Sequence, residues 1–215
     1  MMSAFKFSWV DQYLKRDPAV IVDAGCYNAA DSIEFKERWP DARVIAFEAC
    51  PDNYRQIERS GRALVAGVET HHLAVCDHEN GVQFNSNTDT NQTGHFGQTG
   101  SILQFGPKLL ETWKSISVKP PRLVPSVRLD LFCQRLEIAR IDLLHMDVQG
   151  AEYFVLVGLG AMRPPIIYLE IDETAETDRY IGAVPESNIR GWFDAAGYKR
   201  VWDSPHDALY VHESC

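Results

Sequence analysis

Twice in this chain a short apolar run ends on an acid, turns at a glycine and opens into a helical pattern: AVIVDAGCYNAAD at residues 19–31 and IDLLHMDVQGAE at residues 141–152. A β-branched run of this length, bounded by Pro18 and Gly25, reads as a strand buried on both faces. From Ala29 to Trp39 the apolar positions Ala30, Ile33, Phe35 and Trp39 stand among Asp, Glu, Lys and Arg, and Pro40 stops the segment. A strand, a tight turn and a helix in that order aim backbone N–H groups and the positive end of a helix dipole at whatever lies beyond the strand.

The same alternation of element types runs through the rest of the chain. Ala42–Phe47 is a second apolar run, ending on Glu48, and Pro51-Asp52-Asn53 opens a helix. A third strand is expected over His71–Cys76, with Asp77–Gly81 turning back into Val82-Gln83-Phe84. Leu129–Leu136 reads as an amphipathic helix, Ile141–Met146 and Pro165–Glu170 as strands, and Pro185–Ala196 as a helix closed by Gly197. Tyr198–Trp202 and Ala208–His212 are spaced to pair as an antiparallel hairpin. Alternating strands and helices give the α/β class, a doubly wound, mostly parallel sheet with helices on both faces. At 215 residues and 45% hydrophobic composition the expectation is a single domain with a sizeable core, spanning 1–215. Residues 85–125 interrupt the pattern with polar, glycine-bearing sequence, and are read as a lid or substrate insert.

Charge and cysteine usage exclude some partners. A net charge of −9 gives no broad electrostatic footprint for nucleic acid, so none is expected as a partner. Five cysteines with no C-x-x-C pair suit a reduced, cytoplasmic setting, in which Asn91-Gln92-Thr93 is simply a polar loop. No apolar run reaches the ~20 residues a membrane helix needs, and no signal-like leader is seen at the N-terminus.

Two strand ends form the candidate ligand site. Asp23 and Glu48 are 25 residues apart, close to the ~20 expected between a glycine turn and a carboxylate that grips ribose hydroxyls. Asp23, Gly25, Tyr27 and Asn28 in the first turn, Glu48 and Ala49 in the second, and Ala74 and Val75 as an apolar wall for a flat ring are therefore the cofactor candidates. A nicotinamide-linked oxidoreductase would need a second glycine for close approach to a pyrophosphate, and Ala29 stands there instead. The antiparallel final hairpin suits a seven-stranded class I methyltransferase sheet better than a dehydrogenase.

Four blocks resemble the FkbM-type S-adenosylmethionine-dependent methyltransferases: VIVDAGCYNAADS, VIAFEACPDNY, HHLAVCD with the later TGSIL, and IDLLHMDVQGAEYFVLVGLG. With SVRLDLF and PIIYLEI the likeness covers roughly residues 19–172. Three positions depart from the family pattern: Ala29 replaces a glycine, His145 a lysine and Gln149 a glutamate. The resemblance implies S-adenosylmethionine as cofactor, with S-adenosylhomocysteine as product, and O-methylation of a hydroxyl on a sugar or natural-product alcohol, hence a small-molecule or glycan acceptor. A non-catalytic cofactor-binding module is the alternative that Gln149 leaves open.

In-line placement of donor and acceptor does most of such chemistry, and a hydroxyl acceptor also has to lose a proton. Asp147, His145 and His95 are the candidate bases, 145 and 147 sharing a strand face by alternation. Asp147 is also expected at the cofactor, and His95 and Ser101 in the insert are expected to touch the acceptor. No catalytic metal is expected, because acids such as Glu170, Asp172 and Glu173 are ordinary at strand outlets in this fold, and the thiols match no zinc spacing.

Overall fold

The computed structural model describes residues 7–89, 98–171 and 175–214. Seven strands form the main sheet: β1 Val20–Ala24, β2 Arg43–Phe47, β3 Glu69–His71, β4 Leu143–Met146, β5 Ile166–Glu170, β6 Tyr198–Asp203 and β7 Asp207–His212. Their order across the sheet is β6-β7-β5-β4-β1-β2-β3. Strands β1 to β5 run parallel to one another, while β7 is antiparallel to both β5 and β6. The α/β class and the antiparallel last strand are as the sequence led one to expect. The order turns back at β1 and β4, so the crevice between their carboxyl ends is the natural ligand position of an open α/β sheet.

The described residues form eight α-helices: α1 Phe7–Asp11, α2 Ala30–Arg38, α3 Pro51–Ser60, α4 Arg62–Ala66, α5 Pro107–Thr112, α6 Leu129–Arg135, α7 Glu152–Gly158 and α8 Glu186–Ala195. Period-two alternation sorts the strand residues onto two cores. Val22, Ile45, Leu144, Met146, Ile167 and Tyr210 pack against Phe132 of α6, Val155 and Leu156 of α7 and Phe193 of α8. Ile21, Val44, Leu143, Ile166 and Tyr168 pack on the other face against Val10 of α1, Ile33 and Phe35 of α2 and Ile57 of α3.

Two expectations are corrected. The run His71–Cys76 is not one strand, because His71 ends β3 and Ala74–Val75 leaves the sheet to pair in parallel with Ser126–Val127. Nor are the described parts of residues 85–125 irregular. Val82–Phe84 pairs with Arg122–Val124, Asn87–Asp89 with Ile116–Val118, and Gln104–Phe105 with Tyr180–Ile181, all antiparallel. Asp52 in the first turn of α3 fixes this insert to that helix by pairing with Lys119 at 3.0 Å and Arg122 at 2.5 Å. Partial burial opposes its charge, but those two cations outweigh it and hold the carboxyl down at about 2.

Candidate functional site

The crevice is built where β1, β2 and β4 end together. The β1 turn is held by the Phe47 carbonyl, which accepts the N–H groups of Gly25 at 3.0 Å and Cys26 at 2.9 Å. Gly25 has φ +88°, and a Cβ there would lie 1.9 Å from the Asp147 carbonyl oxygen. Glycine is thus demanded by the backbone that leaves β4, whether or not a ligand is near. Ala29 takes φ +61°, a left-handed position that glycine would adopt freely, and it is fully buried. Left-handed alanine costs ~1–2 kcal/mol, but its buried methyl contributes ~0.8 kcal/mol and glycine loses more chain entropy, so the replacement is close to neutral.

Glu48 sits at the end of β2, 5% exposed. Its Oε1 accepts the Cys50 N–H at 2.6 Å, and the Asn53 amide lies 3.5 Å away. Burial drives its pKa up to about 8, against hydrogen bonds from the Cys50 and Tyr27 N–H groups that favour the charge. Beside it, the buried Asn53 Oδ1 has no hydrogen-bond partner among the described residues. An acidic acceptor and an unmatched amide oxygen together suit a ligand rich in hydroxyl donors.

Asp23 and His145 pair with each other inside the core. Asp23 is fully buried, accepts the Ser32 hydroxyl on Oδ2 and holds His145 Nδ1 at 2.9 Å on Oδ1. The β1–β4 register places the two residues side by side. His145 lies flat against Tyr168, centroids 5.3 Å apart, with the Phe35 edge on it at 5.5 Å. Burial opposes its charge, but Asp23, with Asp31 and Asp147 further off, raises its pKa to about 9. A buried ion pair within a ring stack braces β1 against β4.

Asp147 does face outward. Strand β4 ends at Met146, and the Asp147 N–H donates to the Ala24 carbonyl at 2.9 Å while its side chain is exposed. The shared face expected for 145 and 147 is lost because the strand ends between them. Gln149, in a left-handed conformation at φ +55°, puts its Nε2 at 2.6 Å from both Asp147 Oδ1 and Glu170 Oε2. Its Oε1 lies 3.0 Å from the Tyr180 hydroxyl, which is also 2.7 Å from the Thr99 carbonyl. A neutral amide therefore separates two carboxylates and ties the insert to the end of β4. Glu152, 2% exposed, reaches back to accept the Val148 N–H at 3.3 Å and the Gly150 N–H at 3.2 Å. Burial lifts it to about 8. Its first-turn position signalled a helix start, but the tertiary burial carried no sequence mark.

Of the other candidates, Tyr27 lies beside Glu48, and Ala49 and Ala74 pack around Cys50. Asn28 is exposed and its Oδ1 accepts the Ala30 N–H at 3.0 Å, closing the start of α2. Tyr27 is half-buried and its hydroxyl bonds Gln98, a second tie between insert and crevice. The Ala49 carbonyl meets His72 Nε2 at 3.3 Å. Ala74 is buried with Cys50, Phe84 and Val124, with Ala49 packed against them, and Val75 is buried in the core with Ala24, Ile45 and Phe47 of β1 and β2. Ser101 is buried, with its hydroxyl accepting the Leu103 N–H at 3.0 Å, so it shapes its own loop. His95, Asp172, Glu173 and the Asn91-Gln92-Thr93 tract lie outside the described residues. Asn53 and Tyr180 join these groups without having stood out in the sequence, whereas Gln149 was already marked there as a departure from the family pattern.

Sheet order, the reversed last strand and the carboxyl-lined strand ends define the class I methyltransferase architecture. The chain matches the methyltransferase FkbM domain over residues 23–200 and belongs to that family. It is 30% identical over 151 residues to the 2-O-methyltransferase NoeI of Sinorhizobium fredii (strain NBRC 101917 / NGR234), covering 67% of this chain and 58% of that protein. It is 27% identical over 152 residues to Methyltransferase 1 of Beauveria bassiana (strain ARSEF 2860), covering 66% and 59%. The aligned region thus spans under two thirds of either relative's length. A solved methyltransferase FkbM from Methylobacillus flagellatus KT shares the fold, with a TM-score of 0.53 at 14% identity over 93% of this chain and 45% of that one. No helix among the described residues is long and apolar enough to cross a membrane.

Proposed function

We propose that the chain moves a methyl group from S-adenosylmethionine to a hydroxyl oxygen of a small acceptor, a sugar or a natural-product alcohol. Family membership supports methyl transfer, and the likeness to a 2-O-methyltransferase supports oxygen as the target. The observation that carries the donor assignment is Glu48, a buried carboxyl at the end of β2 beside an unmatched amide oxygen. Glu48 and Asn53 would accept the ribose hydroxyls, and the Gly25–Ala29 turn would face the amino-acid part. The bound donor supplies an already electrophilic sulfonium methyl. What the chain adds is placement, exclusion of water and a home for the acceptor's proton. Asp147, the exposed carboxylate at the end of β4, is the candidate proton acceptor, with Gln149 fixing its orientation. The insert, tied down through Tyr27 to Gln98 and Gln149 to Tyr180, would cover the acceptor.

Calorimetry with S-adenosylhomocysteine tests the donor site. Glu48→Gln should weaken binding at least tenfold, since hydrogen bonds to a charged group contribute ~1.5–3 kcal/mol each. Binding of the ionised carboxylate to hydroxyls also requires Glu48 to give up the proton that burial lets it keep to about pH 8. Affinity should therefore rise between pH 6 and 8 in the native chain and stay flat in the variant. Unchanged affinity in the folded variant would remove Glu48 from the site. Incubation with labelled donor and a panel of glycosides and alcohols tests transfer, and tight binding with no transfer to any of them would favour a cofactor-binding module.

A further inference from the structure

We propose that Cys76, Asp77 and His78 form a binding site for a divalent transition-metal ion of the zinc class at the root of the insert. Consecutive side chains on a strand point to opposite faces, so three neighbours converge only where the chain turns. Here the turn that follows Ala74–Val75 brings one donor atom of each residue within 4.8 Å of the others. Cys76 Sγ lies 3.8 Å from His78 Nδ1, which lies 2.7 Å from Asp77 Oδ1.

Groups outside the triplet hold this arrangement. The Cys76 N–H donates to the Val127 carbonyl at 2.9 Å, Ser126 Oγ donates to the His78 carbonyl at 2.9 Å, and Arg128 donates to the Asp77 carbonyl at 3.2 Å. The Arg128 charge is itself matched by a two-point pair with Asp130 at 3.0 and 2.7 Å. Gly158 of α7 leaves room for the Cys76 carbonyl, which would lie 2.3 Å from a Cβ there.

The spacing suits a tetrahedral ion. Zinc–sulfur and zinc–nitrogen bonds of ~2.3 and ~2.05 Å place sulfur and nitrogen about 3.6 Å apart, close to the 3.8 Å found. Nitrogen and oxygen would stand about 3.4 Å apart, against the 2.7 Å of the present hydrogen bond. Replacing the shared proton by a metal asks the Asp77 carboxylate to withdraw by a fraction of an ångström, and its side chain is 36% exposed. A thiolate beside imidazole and carboxylate favours zinc, cobalt or nickel over magnesium or calcium. The same Nδ1 faces both thiol and carboxylate, so the three cannot act as a nucleophile–base–acid relay. On binding, three metal–ligand bonds form, the thiol proton leaves to solvent, and the neutral imidazole carries its proton on Nε2.

The test is titration of Co²⁺ into chelator-treated protein, followed by competition with Zn²⁺. One equivalent should bind with a sulfur-to-cobalt charge-transfer absorption, and Zn²⁺ should displace it. C76S should abolish the absorption, and H78A should weaken binding at least tenfold. His78 is 44% exposed at the side chain, so H78A leaves packing intact, and circular dichroism checks that. Absence of the absorption in the native chain, its persistence in C76S, or equal affinity in H78A would each overturn the proposal.

Discussion

A methyl group at position 25 has no room. With φ +88° and the Asp147 carbonyl oxygen 1.9 Å from where a Cβ would stand, Gly25→Ala forces β1 and β4 apart where they define the crevice. The expected loss is ~3 kcal/mol or more, seen as a fall in melting temperature of about 2–4 °C per kcal/mol. A native-like melting curve would show that the crossing relaxes. Gln149 offers a test of charge at the same scale. Its amide nitrogen lies 2.6 Å from two carboxylates, so Gln149→Glu replaces a donor with a third acid. The variant should lose ~1–3 kcal/mol at pH 8 and recover much of it near pH 5, where a proton can be shared. Equal losses at both pH values would mean that geometry, not charge, sets the cost. The exchange of this residue was visible in the chain, but the pair of carboxylates it separates was not, because Glu170 lies 21 residues away.

At the scale of elements, α1 shows how a short segment is recruited. Five residues cannot hold a helix alone. Trp9 lies flat against Trp202 of β6 with centroids 3.7 Å apart, and Val10 is fully buried under the sheet. Trp9→Ala should cost ~2–3 kcal/mol, less than a fully buried tryptophan because the ring is only half-buried, and urea denaturation measures it. A cost below ~0.5 kcal/mol would mean the stack adds nothing to α1 docking. Long elements such as α3, α8 and the β6–β7 hairpin were legible within a few residues, since periodicity and turn chemistry both mark them. The split of His71–Cys76 was not, because an apolar run of that length says only that it is buried. Whether Ala74 pairs with the main sheet or with Ser126 is settled by partners 52 residues along the chain.

For the whole molecule, three buried groups set the pH response together. His145 is raised to about 9, so its stabilising charge is fully present below the unfolded value near 6.5 and is lost as pH rises through 9. Glu48 and Glu152, raised to about 8, keep protons that the unfolded chain releases above ~4.5, so each subtracts stability as pH climbs toward 8. All three act in one direction. The melting temperature should fall between pH 6 and 9, and Glu152→Gln should flatten that fall while keeping an acceptor for the Val148 and Gly150 N–H groups. A flat native profile would mean that these groups become hydrated in solution.

What the sequence by itself determined is the alternation of strand and helix, the acids at the ends of β2, β4 and β5 and the glycine turn, because each is encoded within about ten consecutive residues. It therefore also determined the fold class and placed Glu48 and Asp147 at the crevice edge. Only the tertiary structure decided which acids are open there. Period-two alternation says that residues share a face, but not what covers that face, and the partner that turns Asp23 and His145 into a buried brace is 122 residues distant. Burial likewise comes from the helices laid over the sheet, so the carboxyls held at about 8 became visible only once α3 and α7 were in place.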